Sequence, residues 1–93
     1  MNVKDAVTKA IEYIADIFES EKLENIGLEE VSLDEANDAW EVTIGFSRPW
    51  DYPVVGLITG TLQKNPKREY KVVKINNKSG EFQSIKIREI SNA

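Results

Sequence analysis

Residues Trp40-Glu41-Val42-Thr43-Ile44-Gly45-Phe46-Ser47 alternate strictly between large apolar side chains and polar or small ones. A side-chain period of two is the pattern of a β-strand that buries one face and turns the other to water. The stretch therefore predicts a strand over residues 40–48, set in an antiparallel sheet. The apolar face of this strand needs a cover, which must come from another element of the chain.

The cover is predicted at the start of the chain, where apolar residues recur every three or four positions from Val3 to Phe18. This spacing places them on one face of a helix, which we expect to span residues 3–21. Asn2 is placed to cap the helix, and Asp5 follows three positions later as in a capping box. Several acids lie near the C-terminal end of the helix, where the helix dipole disfavours negative charge, so another interaction must stabilise them there.

Three further strands are predicted around the central one. Residues 26–33 form the first, with a bulge near Glu29-Glu30, because the apolar alternation changes phase there. Residues 68–76 and 82–90 form a hairpin, since the turn between them contains asparagines and Gly80. The expected fold class is α+β, with one N-terminal helix packed on a three- to four-stranded antiparallel sheet in a single domain over residues 1–93.

Charge is distributed unevenly along the chain. The totals are 12 basic and 16 acidic residues, a net charge of −4. Residues 1–51 hold 13 acids and 4 bases, whereas residues 52–93 hold 3 acids and 8 bases. This predicts either a surface dipole or opposite charges on neighbouring elements, and we favour the second. No signal-peptide pattern or membrane-length apolar run is visible, so we expect a cytoplasmic protein with no membrane partner.

The residue types present leave little room for catalysis. The chain has no histidine and no cysteine, which excludes disulfides, zinc–thiolate sites and histidine-activated nucleophiles. Acids cluster at Glu29-Glu30 and between Asp34 and Glu41, but the glycine and the final glutamate of an EF-hand loop are missing. We therefore expect no enzyme and no cofactor. A minor hydrolytic or metal-binding activity is the third-ranked interpretation.

Our interpretation of function depends on an irregular insert over residues 48–67. It contains all three prolines of the chain and yet is rich in apolar residues. Trp, Tyr and Arg dominate binding hot spots, and proline-flanked segments lose less entropy when they bind. We interpret the insert as a docking surface for another protein or for a second copy in a homodimer. The alternative is a lid over the core. The candidate partner-binding residues are Arg48, Trp50, Tyr52, Val54, Leu57 and Ile58.

A basic run over residues 64–78 offers a second candidate surface. With aromatic residues as stacking platforms it could follow a single-stranded nucleic acid. Nucleic acid nevertheless ranks below protein as a partner, because the net charge is acidic and because the run falls on both faces of its strand. The competing interpretation is a set of lysines that solvate a sheet edge. The candidate basic surface consists of Lys64, Lys67, Arg68, Lys71 and Lys74.

The order of elements resembles that of PepSY and cystatin-like small domains, through the strand entry at residues 39–44 and the hairpin that follows Tyr70. It is also similar to the gas-vesicle protein O family. That family places a W-x-V strand before an R-x-P segment and a Y-x-V strand, which here are Trp40-Glu41-Val42, Arg48-Pro49-Trp50 and Tyr70-Lys71-Val72. The resemblance implies a helix laid across a curled antiparallel sheet. It also implies a non-catalytic accessory or assembly role.

Overall fold

The computed structural model of the protein describes residues 1–51 and 68–89. In these residues one helix packs on a four-stranded antiparallel sheet, which is the predicted α+β arrangement. The strands follow one another in the order β1-β2-β3-β4, each beside its neighbour in sequence. The elements are α1 (Val3–Ile17), a 3₁₀ turn (Glu19–Glu21), β1 (Glu24–Asp34), β2 (Ala39–Ser47), a second 3₁₀ turn (Pro49–Asp51), β3 (Glu69–Asn76) and β4 (Phe82–Arg88).

Helix α1 begins with the predicted capping box. The Asp5 amide donates to Asn2 Oδ1 at 2.8 Å, and the Asn2 amide donates to Asp5 Oδ2 at 3.3 Å. The predicted end at residue 21 is wrong, because the helix stops at Ile17 and a short 3₁₀ turn follows. Acids at the negative end of the helix dipole disfavour further turns. Lys22, at a left-handed φ of 51°, closes this region.

The helix covers one face of the sheet, which we call the helix face and which carries Val42, Ile44 and Phe46 of β2. All three side chains are fully buried, as are Val73 and Ile75 of β3. The covering side chains of α1 are the buried Ala6, Ala10 and Ile14. Because two of these three are alanines, the helix axis can approach the strands closely. The predicted partnership between α1 and β2 is confirmed.

The opposite side of the sheet carries Glu41, Thr43 and Gly45 of β2, and we call it the open face because no described helix or strand covers it. Thr43 is nevertheless buried, and the side chain of Arg88 donates a hydrogen bond to its hydroxyl oxygen. The predicted bulge in β1 is confirmed, because the β1–β2 register shifts between Leu28 and Glu30. The shift returns the later apolar residues of β1 to the helix face. Without it they would lie on the open face.

The strand limits differ from the predicted ones by one or two residues. Strand β1 covers 24–34 and not 26–33, β2 covers 39–47 and not 40–48, and β3 begins at 69 and not 68. Strand β4 is described to Arg88, and residue 90 lies outside the described residues. The predicted hairpin turn is confirmed, with Gly80 at a φ of +73°. No helix in the described ranges has the length and apolar character needed to cross a membrane.

Candidate functional site

Arg48 follows β2 directly, and its side chain turns back against the end of the sheet. Its Nε contacts Glu21 Oε1 of the first 3₁₀ turn, and its Nη1 lies 2.5 Å from Glu69 Oε2 at the start of β3. Only 8% of Arg48 is exposed. The hydrogen bond with Glu69, followed by the one with Glu21, raises the pKa of Arg48 above its usual value, so the guanidinium is permanently charged. One cation thus ties the segment after α1 to two strands.

Aromatic rings surround this guanidinium. Its Cζ lies 5.2 Å from the ring centroid of Phe46 and 6.0 Å from that of Phe18. The two phenylalanine rings are 5.9 Å apart. A guanidinium within about 6 Å of a ring centroid gains cation–π attraction. Arg48 therefore has two carboxylates at its edge and apolar rings against it.

A third ring, that of Trp50, lies 5.7 Å from the same Cζ. Trp50 sits in the 3₁₀ turn Pro49–Asp51, where the proline restricts φ at the first position. The indole is 65% exposed even so. A large aromatic side chain is therefore displayed to solvent while its ring keeps a cation–π contact with the buried guanidinium of Arg48.

The surface around Trp50 extends toward the end of α1 and the start of β3. Lys71 Nζ lies 5.9 Å from the ring centroid of Phe18, and Ile17, next to Phe18, is an exposed aliphatic residue. The ring contacts join Phe18, Arg48, Trp50 and Lys71, and we group them with Ile17, the exposed residue beside Phe18 in the sequence, as the Trp50 surface. The Trp50 surface combines exposed apolar area with the cation of Lys71, which has no carboxylate partner among the described residues.

Two of the six predicted partner-binding residues, Arg48 and Trp50, are brought together in this way. The other four, Tyr52, Val54, Leu57 and Ile58, lie outside the described residues and stay a prediction. Glu21 and Glu69, which support Arg48, were not among the residues predicted for this site. A signal for Glu21 was present, since an acid at the negative end of a helix requires compensation.

The predicted basic surface does not form one stripe in the described residues. Arg68 donates to the Asn25 carbonyl at 2.9 Å and to Glu29 Oε1 at 3.2 Å. Lys74 Nζ lies 3.5 Å from Asp34 Oδ2 on the open face, whereas Lys71 points to the helix face. The other two members of the set, Lys64 and Lys67, lie outside the described residues.

The open face instead pairs opposite charges from different strands. Arg88 of β4 reaches Glu30 of β1 at 3.1 Å, across the two middle strands. Asp34 of β1 accepts a hydrogen bond from Asn37 Nδ2 at 2.7 Å, which, together with Lys74, lowers the pKa of its carboxyl group. The acids come from β1, and the cations from β3, from β4 and from the residue just before β3. The predicted pairing of opposite charges is found here, but the pairs join β1 to β3 and β4 and not to its neighbour β2 in the sheet.

The described residues bring together no group of three or more acids that could hold a metal ion. An open depression of about 500 Å³ lies beside Lys71, Ile87 and Arg88, at the end of the molecule where β4 finishes. Its lining mixes cations, acids, the ring of Tyr70 and one aliphatic side chain.

Comparison with known proteins does not assign the chain to a family. No family model, curated protein or solved structure matches the chain. The similarity to PepSY and cystatin-like domains and to the gas-vesicle protein O family therefore stays a prediction, and the function has to be argued from the residues themselves.

Proposed function

We propose that the protein is a non-catalytic interaction module, and that a partner protein docks on the Trp50 surface as part of an accessory or assembly role. The observation that carries this proposal is the exposed indole of Trp50 in cation–π contact with a buried arginine, which Glu21 and Glu69 hold from two sides. Trp and Arg are the residue types most enriched in hot spots. The absence of histidine and cysteine also supports a binding role over a catalytic one.

The size of the exposed indole suits it to anchor a complex. A tryptophan side chain buries about 150–250 Å² when it is fully covered, so covering the exposed part of Trp50 is worth about 2–4 kcal/mol. This magnitude matches the threshold of about 2 kcal/mol that defines a hot spot. The cation–π contact with Arg48 favours one position of the indole, which reduces the part of this gain that is lost in ordering the side chain.

The rest of the Trp50 surface describes the partner. Ile17 adds exposed aliphatic area, and Lys71 places a cation beside it. A complementary protein surface would carry an apolar pocket that accepts the indole and a carboxylate placed to meet Lys71.

The test is a quantitative capture of proteins from the native cell by three immobilised forms of the chain. The forms are the wild type, Trp50→Ala, and Val3→Ala as a control that truncates an exposed apolar residue at the other end of α1. We expect a protein that the wild type and Val3→Ala retain and that Trp50→Ala binds at least about tenfold more weakly. If no captured protein depends on Trp50, the proposal is wrong.

A further inference from the structure

The two outer strands of the sheet offer a second surface, separate from Trp50. In the described part of the chain, no strand pairs with the outer side of β1 or of β4. Each has a regular stretch of five residues, Glu30–Asp34 in β1 and Ser84–Arg88 in β4. Exposed regular edges are templates for strand addition unless charge or bulges protect them.

The helix-face side chains of these two stretches match in character. In β1 they are Val31 and Leu33, and in β4 they are Ile85 and Ile87. Leu33 is 40% exposed and Ile87 is 77% exposed, the highest value among the large apolar side chains described. Both edges thus present aliphatic residues on the same side of the sheet.

The charges of the two edges are opposite. Strand β1 contains four acids and no base, and β4 contains two bases, Lys86 and Arg88, and no acid. Pairing β1 with a second β1 would set acids against acids, and pairing β4 with a second β4 would set cations against cations. Like charges on directly facing strands are destabilising, so only the unlike combination is favoured.

We propose that the chain associates head to tail with further copies of itself, by adding β4 of one copy to β1 of the next. The up-and-down order of the sheet makes these two strands antiparallel when the sheet continues from copy to copy. In the register that uses both five-residue stretches, Ile87 faces Val31 and Ile85 faces Leu33 of the neighbour. Arg88, which already pairs with Glu30 of its own chain, then faces the neighbour's Glu30 as well. Lys86 then faces Ser32, between the two acids Glu30 and Asp34.

This arrangement leaves one unused β1 edge and one unused β4 edge on every assembly. Interfaces of this head-to-tail kind close into rings only if the rotation between copies allows it, and otherwise they produce open-ended filaments. Strands in a sheet twist by about 20–25° each, so successive four-stranded copies are strongly rotated and the filament does not close into a ring. The average mass should therefore keep rising with concentration and not stop at a dimer.

The test is sedimentation velocity on the full chain between about 10 µM and 1 mM, where an interface this small is expected to associate. Lys86→Glu gives β4 the charge of β1, and Ser32→Lys places a cation opposite Lys86. Each variant alone should associate at least about tenfold more weakly than the wild type. The double variant, or an equal mixture of the two, should recover association because the carboxylate introduced at position 86 then faces the cation introduced at position 32.

Two controls separate this proposal from other effects. Lys78→Glu changes the net charge as much as Lys86→Glu but lies in the hairpin turn, so it should associate as the wild type does. Trp50→Ala should also associate normally, because the edges do not involve Trp50. If a charge variant fails to fold by circular dichroism, Ile87→Asp replaces it and should likewise weaken association. A wild type that stays monomeric at about 1 mM, growth that ends at a dimer, or a double variant without recovery would overturn the proposal.

Discussion

The two faces of the sheet are held together by different forces. The helix face is apolar and sealed by α1, with Val42, Ile44 and Phe46 fully buried. The open face carries cross-strand ion pairs such as Glu30–Arg88, in which both side chains remain partly in water. Burial of apolar area is the dominant stabilising term in folding, whereas exposed ion pairs contribute little. Stability therefore resides on the helix face, while the open face arranges charge.

The largest effect should come from removing the biggest core side chain of the helix face. Phe46→Ala deletes a fully buried ring that contacts both Phe18 and Arg48. We expect the free energy of unfolding to fall by about 3–5 kcal/mol, from lost burial and from the cavity that remains. Chemical denaturation measures this directly. A loss below about 1 kcal/mol would mean that the helix face is not the main source of stability.

The second-largest loss in the free energy of unfolding should come from replacing Arg48, which lies between the apolar core and the charged residues at the end of the sheet. Arg48→Ala leaves Glu21 and Glu69 close together without their shared cation. We expect a loss of about 2–3 kcal/mol, less than for a fully buried pair because both glutamates are partly exposed. Arg48→Lys should recover only part of this loss, because lysine cannot bond both carboxylates in a fork. Equal stability of Arg48→Ala and the wild type would contradict the anchoring role.

A smaller effect is expected for the open-face pair of Glu30 and Arg88. A double-mutant cycle with Glu30→Gln and Arg88→Gln should give a coupling energy of about 0.2–1 kcal/mol, and it should shrink at high salt. A coupling above about 2 kcal/mol would erase the contrast between the two faces.

The smallest effect should appear in the acid range, at Asp34 on the open face. Its carboxyl pKa is lowered first by the hydrogen bond from Asn37 and also by Lys74. A lowered pKa contributes stability that is fully present above the ordinary value of about 4 and is lost as the pH falls through the folded-state value. The wild type should therefore lose stability more steeply below about pH 4 than Asp34→Ala does. Asn37→Ala should flatten the same slope, and an unchanged slope in both variants would remove the cause assigned to Asn37.

Local patterns in the sequence predicted most of the fold. The alternation in β2, the Asn2–Asp5 capping box, the bulge at Glu29-Glu30 and the Gly80 turn each depend on residues close together in the chain. The end of α1 was missed because the helix closes at Phe18, which has an ordinary negative φ and no glycine beside it, and continues directly into a 3₁₀ turn. Such endings are decided by small energy differences that no single motif reports.

The candidate site was less predictable, because its contacts join distant parts of the chain. Arg48 was chosen as a residue type suited to binding, yet its burial depends on Glu21 and Glu69, which come from two other elements. No local spacing of residues in the sequence indicates such a contact. The exposure of Trp50 was likewise open in the sequence, where a core lid and a docking residue have the same composition.

The most direct test of the account is the free energy of unfolding of Trp50→Ala, measured beside the wild type by chemical denaturation. An indole that is displayed to solvent for a partner contributes little to the isolated chain, so we expect a change of less than about 1 kcal/mol. A loss of about 3 kcal/mol or more, the magnitude for a buried tryptophan, would show that Trp50 belongs to the core and would contradict the docking surface.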